Sequence, residues 1–408
     1  VDQSDFTPGT YGGTHGDMTA GIAGGAGNLD PTIQGMAPGS FLWIRQYVSS
    51  LPNTVTLHTT NGVMAFSSSY SNGCNAGYTT TTQLVDQETF DNPTLIQSFS
   101  AGNSNNSDCG YGAGNQWGNV TGGHKIAKNA IAAANLYEDG SLVGSSSHGP
   151  ASDGRINPDI ASHCQGQLST DPNNSYSPGG GTSAACPGIT GIFGQLVHAH
   201  RDMNGGADAE SGLLKACMLN TTRDKGNVGP DFKYGWGRVN AWKAYEILEQ
   251  GQYFDATVDQ GGSNVHNITI PAGLDEARIM VYWMDPAAST SAAKALVNDL
   301  DMTILDPGAT TLFPWVLDPT PNPTTLDLPA TNGVDTLNNV EQVLISNPTG
   351  GVYQLTVNGT EVPMGPQKYY VVYSFFEGVR LTNPIGGEGL DPGSSELLAW
   401  DAICLLYT

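Results

Sequence analysis

Three short segments hold the side chains best suited to chemistry. Gly180-Gly181-Thr182-Ser183-Ala184-Ala185-Cys186-Pro187 is a glycine turn leading into small and apolar residues, and it sets Ser183 at the start of a long helix. A helix start offers free backbone N–H groups and a partial positive charge that can hold a developing oxyanion. Pro187 reads as a first-turn residue whose missing N–H costs no hydrogen bond. Gly13-Thr14-His15-Gly16-Asp17-Met18-Thr19-Ala20-Gly21-Ile22 places His15 at the start of a small-residue helix, where an imidazole can take a proton from Ser183. Phe99-Ser100-Ala101-Gly102-Asn103 is an apolar strand ending in Gly-Asn, which aims an amide donor at the same oxyanion. Taken singly, each has a plain structural explanation: an N-cap serine, a satisfied histidine, a Gly-Asn turn. Together they point to nucleophilic acyl transfer.

The elements that must position these residues alternate up to about residue 250. Phe41 to Tyr47, Val63 to Phe66, Thr94 to Phe99 and Ala130 to Ala133 read as strands. Thr82 to Asp91, Ser183 to Asp202, Ser211 to Leu219 and Ala241 to Glu249 read as helices. Strands alternating with helices predict an α/β fold, a parallel sheet covered on both faces. Beyond residue 250 the texture is β only: Val265 to Ile270, Arg278 to Trp283, Asp301 to Leu305, Val340 to Ile345, Gly351 to Val357 and Tyr369 to Tyr373. That spacing predicts an all-β sandwich of jelly-roll type over residues 251–377. Residues 378–408, with Val379 to Leu381 and Glu396 to Trp400, read as the start of a further β module or a tail.

The three chemical segments resemble the subtilisin-like serine peptidases, over nearly all of residues 13–247. The family's serine motif, Gly-Thr-Ser-x-Ala-x-Pro, is matched by Gly181, Thr182, Ser183, Ala185 and Pro187. Its histidine motif is matched by His15, Gly16, Ala20 and Gly21, with Asp17 and Met18 replacing its Thr and second His. Its oxyanion asparagine falls at Asn103. Ser146-Ser147-His148-Gly149-Pro150, Pro158-Asp159-Ile160 and Gly235-Trp236-Gly237 resemble three further family segments. The β-only region, with Val297-Asn298-Asp299-Leu300-Asp301 and Asn338-Asn339-Val340-Glu341, resembles the C-terminal jelly roll of large bacterial alkaline proteases.

The resemblance implies a serine endopeptidase acting on polypeptides, with Ser183 as nucleophile, His15 as general base and Asn103 as oxyanion donor. It implies a substrate gripped as an added strand between Ser67-Ser68-Ser69-Tyr70 and Ser100-Ala101-Gly102. Tyr70 stands where the family often has glycine: it either narrows the specificity pocket or points to solvent. The family also needs an aspartate ahead of the histidine. Only Asp2 and Asp5 precede His15, neither following an apolar strand, and the helix would turn Asp17 away from the imidazole. The aspartate is therefore expected upstream of Val1, on a separate chain or in a missing segment. Without it, a pseudopeptidase scaffold with a binding β domain is the competing expectation. Esterase chemistry is opposed by the lack of Gly-x-Ser-x-Gly around Ser183.

Composition sets outer bounds. With 38 acidic against 15 basic residues, the formal charge of −23 repels phosphate backbones and excludes nucleic acid as a natural partner. No apolar run approaches the length of a membrane span. Six cysteines without a C-x-x-C pair point to disulfides and an oxidising, extracellular location. Cys74 and Cys109, which follow the two substrate walls, are the first expected bridge, and Cys164 with Cys186 the second. A monomer is expected. Structural calcium is expected on the family's habit, with Asn298, Asp299, Asp301, Asn339 and Glu341 as its oxygen ligands.

Overall fold

The computed structural model describes residues 14–45, 51, 53–71, 73–383, 393, 395 and 397–402. Its first half is a parallel sheet of four strands in the order β1 (Ala65–Ser68), β2 (Ile96–Ser100), β3 (Ile131–Leu136) and β4 (Ile160–His163). Residues of β2 and β3 are buried on both faces, as expected for strands with helices above and below. The register pairs Ser68 with Phe99 and Ser100 with Ala133, so the strand ends lie level. Around the sheet run α1 (His15–Gly24), α2 (Thr54–Asn61), α3 (Thr80–Asp91), α4 (Thr182–Met203), α5 (Ser211–Asn220) and α6 (Ala241–Glu249). Helix α3 begins at a reciprocal capping box between Thr79 and Thr82. Of the expected strand from Phe41 to Tyr47, residues 41–45 form only an isolated bridge at Trp43, and 46–47 lie outside the described residues. A hairpin of β5 (Leu168–Asp171) and β6 (Ser175–Pro178) packs on α1.

Helices α1 and α4 meet through glycine. A Cβ on Gly191 would sit 2.5 Å from Met36 Cβ and 2.8 Å from the Ala23 carbonyl, and one on Gly188 would sit 3.1 Å from Cys164 Sγ. Ile22 and Met18, one turn apart on α1, pack against Ala184 near the start of α4. The small-residue composition of both helices is what allows this approach.

The second half is two four-stranded antiparallel sheets. One runs β14 (Val340–Ser346), β9 (Glu276–Tyr282), β16 (Gln367–Phe376), β7 (Tyr253–Val258); the other runs β11 (Thr311–Leu312), β10 (Asp299–Leu305), β15 (Gly351–Glu361), β8 (Ser263–Ile270). Short strands β12 (Trp315–Val316) and β13 (Thr331–Asn332) pair separately, as do β17 (Val379–Asn383) and β18 (Ala399–Ala402). Strand β9 is buried throughout because its alternate residues serve two cores. Ile279 and Val281 join Ile304, Leu355, Val357 and Val371 between the sheets. Met280 and Tyr282 join Leu213, Leu214, Cys217 and Met218 of the wholly buried α5. The α/β core and the sandwich are therefore continuous. Buried polar contacts join them too: Lys128 pairs with Asp285, and Asn129 Oδ1 accepts the Asp285 N–H at 2.9 Å.

Candidate active site

The first turn of α4 carries Ser183 and is tied to the segment that holds Asn103. Gly181, at φ +72°, caps the helix, and its N–H donates to Gln165 Oε1 at 3.0 Å. The next N–H, of Thr182, donates to Asn103 Oδ1 at 2.9 Å, while the Thr182 hydroxyl accepts from the Gly102 N–H at 3.1 Å. The bond from Thr182 settles which end of the Asn103 amide is oxygen. Nδ2, left without an acceptor among the described residues, is the free donor of an exposed side chain. Beside it the Ser183 N–H is an orphan of the helix start, with no acceptor among the described residues. Two donors thus flank the partly exposed Ser183.

Pro187 is not the harmless first-turn residue expected from sequence. The helix starts at Thr182, which makes Pro187 its sixth residue and removes the N–H that would have bonded the Ser183 carbonyl. Ser69 takes over, its Oγ donating to Ser183 O at 2.9 Å. Nothing short of the strand pairing announces this role.

His15 opens α1, on the face that Met18 and Ile22 carry to Ala184. Spacings of three and seven residues put His15 on the same side of α1 as Met18 and Ile22. It is exposed at the rim, and the protein mass behind it lowers its pKa by desolvation. Among the described residues it has no hydrogen bond to Ser183 and no carboxylate partner. Asp17 adds none: the contact there is Thr170 Oγ1 donating to its backbone carbonyl at 2.7 Å.

Both expected substrate walls border this centre. Ser67 and Ser68 end β1, and Ser67 Oγ meets Cys186 Sγ at 3.4 Å. Ser100 ends β2, followed by buried Ala101 and Gly102. Gly102 must be glycine: at φ +122°, a Cβ would come within 2.3 Å of Thr121 Oγ1. Tyr70 turns inward, its ring stacked 4.6 Å from that of His124, which Phe99 meets edge-on at 4.9 Å. Burial and the neighbouring Lys125 push the His124 pKa down to about 3.

Cys74 and Cys109 form the expected disulfide, with Cα atoms 5.3 Å apart. The Cys164–Cys186 bridge does not form; both are buried free thiols, as is Cys217. Cys164 faces Gly188 of α4, whereas Cys186, two residues earlier and on the other side of the helix, faces β1.

The calcium candidates divide. Asn298 is committed elsewhere, its Oδ1 accepting the Met364 N–H at 3.1 Å, while Asn339 Nδ2 donates to the Trp283 carbonyl at 2.7 Å. Asp299, Asp301 and Glu341 each leave one buried carboxylate oxygen without a partner. Burial, then the charges of Asp335, Asp301 and Asp299, raises Glu341 well above the ordinary carboxylate range. No three His, Cys, Asp or Glu side chains among the described residues are gathered closely enough to hold a metal ion.

Comparison with known proteins assigns the chain to a family. The Peptidase S8 profile, the subtilase family, matches residues 2–237, more than half of the chain, and the chain belongs to that family. Two relatives in Dictyostelium discoideum are the serine protease/ABC transporter B family proteins tagB, 26% identical over 322 residues, and tagA, 25% identical over 273 residues. The matches take in 58% and 57% of this chain but only 16% and 15% of those proteins, so the chain spans a small part of their length. Among solved structures it is similar to the prenylagaramide maturation protease PagA, at 19% identity and TM-score 0.45, covering 59% of this chain and 85% of that one. The self-cleaved protease domain of PatA gives 15% identity, TM-score 0.45, and 60% and 87% coverage. Membership rests on the sequence profile, not on these superpositions.

Proposed function

We propose that this chain is the catalytic part of an exported serine endopeptidase. Ser183 Oγ attacks the peptide carbonyl, His15 takes the proton and returns it to the leaving amine, and water releases the acyl group by the same steps. The oxyanion accepts from Asn103 Nδ2 and the Ser183 N–H. The observation that carries this reading is the Thr182-to-Asn103 hydrogen bond, which leaves the amide's donor end free beside the orphan N–H of Ser183. An aspartate supplied from an upstream segment or chain would fix the His15 tautomer and hold the imidazolium. The Cys74–Cys109 disulfide supports an extracellular location. A non-catalytic scaffold is the second reading, favoured by the lack of a carboxylate at His15 among the described residues. The test is digestion of an unfolded protein by the chain with its upstream segment co-expressed. New fragments with the natural sequence and none with Ser183→Ala support the peptidase; no fragments with either favour the scaffold.

Calcium at Asp299, Asp301 and Glu341 is a further part of the proposal. Three buried oxygens without a partner support it; the side chains are too far apart to hold an ion as they stand and would have to close on it. A chelator at pH 8 is then expected to lower Tm by about 3 °C or more, with calcium restoring it. An unchanged Tm removes the metal from the account.

A further inference from the structure

Buried lysines in this protein are answered by carboxylates, with one exception. Lys128 pairs with Asp285 and Lys215 with Asp159. Lys125 is as deeply buried, 1% exposed, yet among the described residues its Nζ meets only Thr121 Oγ1 at 3.1 Å and Ser100 Oγ at 3.5 Å. No carboxylate among the described residues acts on it, and burial pulls its pKa down to about 7. An ammonium has three protons to place, and enclosing one without an anion is costly.

Its place in the fold says what the anion can be. Ser100 belongs to the wall that runs through Ala101 and Gly102 to the oxyanion donor Asn103, and Thr121 lies directly behind Gly102. Cys186, a neutral thiol neighbouring Lys125, touches Ser67 and Ser68 of the opposite wall. The amine therefore sits behind the two strand ends that flank Ser183, with the Tyr70–His124 stack alongside. A substrate whose reacting carbonyl faces Asn103 carries, on the adjoining carbon, the side chain nearest this wall.

We propose that Lys125 anchors an acidic side chain on the residue immediately before the cleaved bond, so that the enzyme selects Glu or Asp there. The idea rests on the peptidase reading above. A carboxylate replaces the long contact to Ser100 with a charge-assisted hydrogen bond and neutralises the buried cation. An uncharged side chain gains no such partner, and a basic one is repelled.

The test uses the Ser183→Ala chain and calorimetry with N-acetylated peptide amides that differ only in a last residue of Glu, Asp, Gln or Leu. The Glu or Asp peptide is expected to bind at least about tenfold more tightly than the Gln peptide, and Lys125→Met to erase that difference. Equal binding of the Glu, Asp and Gln peptides to Lys125 protein overturns the proposal, and this comparison holds even if the Met variant fails to fold. Extended peptides of the same series, given to the chain with an intact Ser183 and the upstream segment co-expressed, separate the two ideas. Acid-selective binding without cleavage would contradict the peptidase reading alone; cleavage without acid preference contradicts the Lys125 assignment alone.

Discussion

At Asn103 a single hydrogen bond decides what a side chain can do. With Oδ1 held by the Thr182 N–H, Asn103→Ala removes a positioned donor, and kcat is expected to fall by about 100- to 1,000-fold with KM little changed, the loss known for the corresponding donor in subtilisin itself. Steady-state kinetics on one peptide checks it; a matched rise in KM would instead assign Asn103 to ground-state binding. That His15 and Ser183 open helices and Asn103 follows a strand end was legible in the sequence, because such boundaries announce themselves through glycine. The bond from Ser69 to the Ser183 carbonyl and the burial of Lys125 were not. The role of Ser69 follows from a helix boundary that makes Pro187 the sixth residue, and that of Lys125 from burial behind a strand 25 residues earlier in the chain. Both depend on long-range packing, which local pattern does not encode.

The packed helix pair α1 and α4 carries His15 and Ser183, the proposed base and nucleophile. Gly191→Ala places a methyl against the Ala23 carbonyl, which cannot give way as a side-chain tip can, so the helices must part. We expect about 1–3 kcal/mol lost in denaturant unfolding, and kcat lowered more than KM because His15 moves with α1. Unchanged kcat alongside lowered stability would show that α1 does not set the base. Long periodic elements were read well from sequence: α6 is found at the expected residues, and α4 and α5 within a residue or so of theirs. Strand β4 and the β5–β6 hairpin went unread, since four-residue strands of mixed polarity take their shape from neighbours rather than from alternation. The strand expected at Phe41 reduces to a bridge at Trp43 for the same reason.

For the whole molecule, the shared core makes the β sandwich part of the peptidase fold. Removing residues 251–408 would uncover the α5 face now covered by Met280, Tyr282 and Tyr370. We expect the remaining 1–250 fragment to be insoluble or to lose its sharp thermal transition, whereas the full chain melts in one cooperative step; a fragment melting as sharply as the full chain would show that the halves fold separately. The central proposal is that Ser183 is a nucleophile whose full activity needs an aspartate supplied by an upstream segment. A fluorophosphonate probe followed by peptide mapping, on the chain alone and with the upstream segment supplied, tests it most directly. The account predicts an adduct on Ser183 that appears, or rises steeply, only when the segment is present. An adduct on Ser183 at full rate in the chain alone would contradict the need for an upstream aspartate, and no adduct in either case would contradict the peptidase itself.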